Sequence, residues 1–94
     1  MDTDGVKSYN APNPFNPSTM INYTLDEPSE VNIRIYNING QLVRSFDQGY
    51  QSTGMHSIQW SGQDDSGDQV PSGTYLYQIQ AGDAVSTKHM VLLK

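Results

Sequence analysis

The segment spanning residues 10–19 constrains the fold most, because it holds Pro12, Pro14 and Pro17 within six positions. Each proline lacks a backbone donor and pushes the residue before it toward extended geometry. The segment therefore cannot be helical. Phe15 is its single large apolar residue, so we expect a stiff, extended entry segment that delivers one anchor side chain to a core.

Apolar and polar residues alternate through the rest of the chain. No window shows the apolar stripe of an amphipathic helix, and turn signals recur about every 8–15 residues. The clearest strand has Val31, Ile33 and Ile35 on one face, and Asn39-Gly40 after it supplies the positive φ of a tight hairpin. This pattern is typical of an all-β sandwich or barrel.

The pattern predicts six strands, with a seventh near residues 12–15 or near Val70. In the strand that returns from the Asn39-Gly40 turn, we expect Leu42 and Val43 to contribute to the core.

Composition excludes several classes of function. The chain has 94 residues, enough for one domain, and its net charge of −5 argues against binding to nucleic acid or to anionic membranes. No apolar run approaches the roughly 20 residues that span a bilayer. Since cysteine is absent, disulfides, thiolate zinc sites and cysteine nucleophiles are excluded. Residues 1–8 are polar and are interpreted as a tail or linker remnant, which leaves a domain at residues 9–94.

Two polar features are candidate sites of chemistry. Asp64, Asp65 and Asp68 form a weak calcium candidate, but the loop lacks the spacing and closing glutamate of an EF-hand, and a solvated hairpin tip is the favoured interpretation. His56 and His89 have Ser57 and Thr87 nearby in sequence, but adjacent strand residues, such as His56 and Ser57, point to opposite faces. We therefore expect no enzyme activity, no cofactor and no transition metal.

Aromatic residues support two interpretations. Trp60, Tyr75 and Tyr77 share strand faces with isoleucines and are predicted to be core anchors, like Phe15. The alternative is a sugar-stacking platform built on Trp60, with Tyr9 and Tyr50 free to contribute because they lie outside the predicted strands.

The order of these segments resembles a known family. Residues 9–19, YNAPNPFNPST, resemble the YPNPFNPST opening of the type A C-terminal sorting domains of the type IX (Por) secretion system. The resemblance continues in order to the last residue, through the segments at 31–36, 39–40, 54–56, 58–62, 64–67, 70, 72–75 and 87–94. The opening and the Ser-Gly-x-Tyr segment also resemble the Ig-like domain of flagellar hook-capping proteins, whereas residues 88–94 distinguish the two families.

The resemblance implies an Ig-like antiparallel β-sandwich of about seven strands at the C-terminus of a larger secreted protein. Such a domain is a non-catalytic address for an upstream cargo in the same chain. The resemblance also implies two partners, the outer-membrane secretion machinery and a sortase-like peptidase that cleaves the chain. The protein would pass through the periplasm and outer membrane and end up secreted or at the cell surface.

The terminal strand is the predicted recognition site. An edge strand offers unpaired backbone groups to another sheet. Alternation forces one face of this strand into the core, either Met90 and Leu92 or Val91 and Leu93. The residues assigned to recognition are Thr87, Lys88, Met90, Val91, Leu92, Leu93 and Lys94.

Two alternatives stay open. The first is a structural or adhesive Ig-like module of the hook-cap type. The second is a carbohydrate-binding module attached to an extracellular enzyme.

Overall fold

Residues 6–93 are described by a computed structural model, and they form seven β-strands in two antiparallel sheets. The three-stranded sheet has the order β1-β2-β5, and the four-stranded sheet has the order β4-β3-β6-β7. This confirms the predicted all-β sandwich. The strands are β1 (Val6–Ala11), β2 (Thr19–Leu25), β3 (Ser29–Asn37), β4 (Leu42–Gln51), β5 (Gly54–Trp60), β6 (Gly73–Ala81) and β7 (Ala84–Leu92).

The first strand begins earlier than the sequence pattern indicated. Val6 and Ser8 are buried, and β1 pairs along its whole length with β2. The interpretation of residues 1–8 as a tail is therefore wrong for residues 6–8, while residues 1–5 lie outside the described part. The seventh strand is β1 rather than a strand near residues 12–15 or Val70. Ser8 concealed the alternation, because a serine at an inward position looks polar in sequence.

The core lies between the inward rows of the two sheets. Each long strand alternates as predicted, with every second residue buried on β2, β3 and β6. The return strand β4 is the exception. A register shift in its pairing with β3 leaves Leu42 largely exposed and Val43 only partly buried, so the predicted core role of Leu42 is wrong. Among the described residues, no helix is long and apolar enough to cross a membrane.

An aromatic cluster joins the entry segment to the core. The Phe15 and Trp60 ring centroids lie 5.7 Å apart, and the Tyr75 ring meets Trp60 edge-on at 5.4 Å. The Trp60 indole donates to the Gln63 carbonyl at 2.8 Å. Tyr77 is also fully buried. All four predicted anchors thus lie in the core.

We expect Phe15→Ala to lower the free energy of unfolding by about 3–5 kcal/mol, because it leaves a cavity beside Trp60. Urea denaturation followed by Trp60 fluorescence measures this. Tyr9→Ala, at an exposed position, is the control and should change stability by less than about 0.5 kcal/mol. A Phe15→Ala variant as stable as the control would show that the entry segment is dispensable.

The buried phenol of Tyr75 should lower the free energy of unfolding at alkaline pH. Burial raises the pKa of its phenol, which donates to the Pro71 carbonyl at 2.6 Å. The folded state therefore favours the neutral form, and this contribution is complete below the unfolded pKa of about 10 and falls as pH rises above it. Tyr75→Phe should lose less stability than the wild type between pH 9 and pH 11 in urea titrations, and parallel curves would contradict the assignment.

Candidate recognition surface on the terminal strand

Strand β7 lies at one edge of the four-stranded sheet and pairs with β6. Met90 and Leu92 are fully buried, while Leu93 is exposed and Thr87 and Val91 are partly exposed. The alternation is therefore resolved with Met90 and Leu92 in the core. These two residues, although assigned to recognition, are not accessible to a partner, and Lys94 lies outside the described residues.

The entry segment closes the far end of the β7 edge. The Phe15 amide donates to the Val91 carbonyl at 2.9 Å, and the Leu93 amide donates to the Phe15 carbonyl at 2.8 Å. The Val91 amide donates to the Asn13 side-chain oxygen at 3.0 Å. The prediction that the terminal strand offers free backbone groups is thus wrong over residues 91–93. Phe15 can close this edge because it keeps its N–H between two prolines that lack one.

Lys88 points into the seam between the two sheets. Its ammonium donates to the Ser8 carbonyl, and next to it the buried hydroxyls of Ser8 and Ser86 lie 3.0 Å apart. Lys88 therefore ties β7 to β1, and its ammonium is engaged within the domain.

The outer face of β7 belongs to a wider apolar band. Leu76 pairs with Tyr36, which pairs with Leu42, and Val91 pairs with Thr74 one row further on. Residues diagonal to each other on one face are within side-chain reach. We name this surface the outer band. It comprises Tyr36, Leu42, Leu76, Val91 and Leu93, all partly or largely exposed. Three of these residues, Tyr36, Leu42 and Leu76, were missed in the sequence because cross-strand register is invisible there.

The acidic loop after β5 is a structural element. The Asp64 carboxylate accepts the backbone N–H groups of Ser66 and Asp68 at 2.9 and 3.0 Å. The Asp65 amide donates to the Val43 carbonyl at 3.0 Å, and its carboxylate accepts the Ser45 amide at 3.1 Å. The loop thus covers the edge of β4.

The calcium candidate finds no supporting geometry in the described part of the chain. No group of three or more His, Cys, Asp or Glu side chains is arranged there to hold a metal ion. Asp64 and Asp65 direct their carboxylates at backbone amides, so Asp68 has no converging partners.

The exposed aromatics do not form a sugar platform. Trp60 is only 2% exposed. Tyr9 and Tyr50 are 57% and 73% exposed, but Tyr9 lies on the outer face of the three-stranded sheet and Tyr50 on that of the four-stranded sheet. One glycan ring cannot contact both, so Trp60, Tyr9 and Tyr50 do not form a single stacking platform.

Sequence comparison identifies a family match. Residues 16–84 match the model of the FlgD Ig-like domain. No curated protein sequence matches the chain.

Solved structures show the same architecture. FlgD from P. aeruginosa is 28% identical with a TM-score of 0.67, over 79% of this chain and 60% of that chain. PorU from Porphyromonas gingivalis, described as dimeric and latent, is 20% identical with a TM-score of 0.76, over 99% of this chain and 9% of that chain. PorZ from the same organism, described as an essential surface component of the type IX secretion system, is 18% identical with a TM-score of 0.66, over 93% and 11% of the two chains.

The chain thus spans less than two thirds of each of these proteins. At 20% and 18% identity, the similarity to PorU and PorZ shows a shared fold only.

We expect Asp64→Ala to lower the free energy of unfolding by about 0.5–1.5 kcal/mol, because two exposed backbone donors exchange a carboxylate acceptor for water. The loss should be equal in EDTA and in millimolar calcium, as measured by thermal unfolding. Asp83→Ala in the exposed β6–β7 turn is the matched control. Stabilisation of the wild type by calcium, absent in Asp64→Ala, would restore the metal interpretation.

Proposed function

The chain belongs to the FlgD Ig-like domain family, and from this premise we propose that it is a non-catalytic sorting domain. It directs a cargo in the same polypeptide across the outer membrane through the type IX secretion system. The cargo is then released or retained at the cell surface after a sortase-like peptidase acts on the linker side.

The terminal segment carries this proposal. The family match ends at residue 84, so it leaves out residues 87–94. Those residues resemble the end of type IX sorting domains and distinguish them from the hook-cap type. The support is therefore the conjunction of an Ig-like sandwich with this particular final strand.

The geometry of β7 favours recognition of its outward side chains over pairing of a receptor strand with its backbone edge. Met90 and Leu92 fix β7 in the core, and Phe15 occupies the backbone groups of Val91 and Leu93. The predicted recognition residues whose side chains remain outward are Thr87, Val91 and Leu93. Thr87 and Val91 lie diagonal to Leu76, on either side of the exposed His89. A receptor on the secretion machinery thus meets a preorganised apolar surface, and preorganisation lowers the entropic cost of binding.

A structural Ig-like module of the hook-cap type is the second candidate. It is favoured by the family match and by the 28% identity to FlgD from P. aeruginosa. On this alternative the outer band packs against a neighbouring subunit or domain, and a fusion to the chain has no sorting activity.

The test is to fuse the whole chain to a periplasm-exported fluorescent reporter in a host with type IX secretion. We expect the wild-type fusion to reach the medium or cell surface. Replacing Val91 and Leu93 with threonine keeps β propensity but removes apolar area, so the fusion should fold and remain in the periplasm. Tyr50→Thr, on the same sheet but outside the outer band, is the matched control and should be secreted normally.

Two results would contradict the proposal. If the wild-type fusion stays in the periplasm, the domain has no sorting activity and the hook-cap alternative stands. If the double threonine variant is secreted at the wild-type level, sorting does not depend on the outer face of β7.

A further inference from the structure

Within residues 6–93 the sandwich has four edge strands, β1 and β5 in one sheet and β4 and β7 in the other. An edge strand presents unpaired N–H and C=O groups that invite pairing with another chain. Proteins protect such edges with charges, bulges or a covering segment.

Three of these edges carry such protection. The entry segment covers the end of β7, and Lys88 and Ser86 tie β7 to β1. β4 has two register shifts in its pairing with β3, carries Arg44 and Asp47, and is covered by the acidic loop.

β5 has none of these devices. Its seven residues pair with β2 without a register shift, and they include no Lys, Arg, Asp, Glu or Pro. Within residues 6–93, no backbone hydrogen bond links its outer side to another segment. It is therefore the one long, regular and uncharged edge in the described part of the chain.

The direction of its backbone groups follows from the neighbouring strands. The Ser8 carbonyl accepts from Lys88 and so faces away from β2. In an antiparallel ladder successive residues alternate in direction. Tyr23, opposite Ser8, therefore faces β5 and bonds with His56. His56 and Ile58 therefore direct their backbone groups toward β2. The alternate residues of β5 direct their N–H and C=O groups outward, and these are Met55, Ser57 and Gln59.

We propose that β5 pairs with β5 of a second copy of this chain, antiparallel about a two-fold axis at Ser57. Ser57 then lies opposite Ser57 of the second copy, and Met55 lies opposite Gln59 of the second copy. All three outward residues of each copy fall in hydrogen-bonded positions. The result is one continuous sheet with the order β1-β2-β5-β5-β2-β1.

The features of β5 favour a second copy over an unrelated strand. About a two-fold axis at Ser57, the isologous interface would bring together only Met55, Ser57 and Gln59, none of which is charged. No charge on the strand opposes its own copy, even though each chain carries −5. Met55 is 78% exposed and Ile58 is only partly buried, so both gain cover from the second copy. Because the chains repel each other through their net charge, the dimer should strengthen as salt is added.

Sedimentation equilibrium of the whole chain over a concentration series tests this. We expect a reversible monomer–dimer equilibrium, with the dimer favoured at higher ionic strength. Ser57→Pro removes an outward N–H that the ladder with β2 does not use, so the fold should persist while dimerisation weakens about tenfold or more. Ser57→Ala keeps the N–H and is the matched control.

Disulfide crosslinking through an introduced cysteine tests the β5–β5 pairing even if the proline variant does not fold. The chain has no cysteine of its own. Ser57→Cys should form an intermolecular disulfide in a glutathione buffer, because Cα atoms of a hydrogen-bonded pair lie about 5.5 Å apart. Thr74→Cys, exposed on the other sheet, should crosslink far more slowly. A chain that stays monomeric at all concentrations, or equal crosslinking at both positions, would overturn the proposal.

Discussion

The position of Phe15 is the constraint on which the rest of the structure depends. Its ring packs against Trp60 between the sheets, and its backbone N–H and C=O bond with Val91 and Leu93 at 2.9 and 2.8 Å. The prolines on either side remove competing donors and keep the segment extended. One residue therefore fills the core and also joins the beginning of the domain to its last strand.

This connection decides what the last strand can present to a partner. With Met90 and Leu92 buried and the backbone of residues 91–93 occupied, β7 is held as a fixed face. The rest of the outer band comes from β3, β4 and β6, so the surface exists only in the folded sandwich. The proposed sorting signal is therefore a property of the folded domain rather than of a short terminal peptide.

Much of the fold could be predicted from the sequence because period-two alternation is local. Val31, Ile33 and Ile35 were assigned to the correct face, as were Tyr75 and Tyr77. The first strand could not be recognised because Ser8 is inward yet polar. The outward position of Leu42 could not be predicted because a register shift lies between it and Arg44. The closure of β7 by Phe15 joins it to Val91 and Leu93, which lie 76 and 78 positions further along the chain. Such long-range pairing leaves no local trace in a sequence, so the outer band could not be predicted.

The amide of Leu93 offers the most direct test of the connection between the entry segment and the terminal strand. Native-state hydrogen exchange compares it with the amide of His89, which the alternation of β7 directs toward the same open side but which has no partner among the described backbone groups. We expect the Leu93 amide to exchange much more slowly than the His89 amide and to lose this protection in Phe15→Ala. Equal, fast exchange at both positions in the wild type would show that Phe15 does not hold the terminal strand.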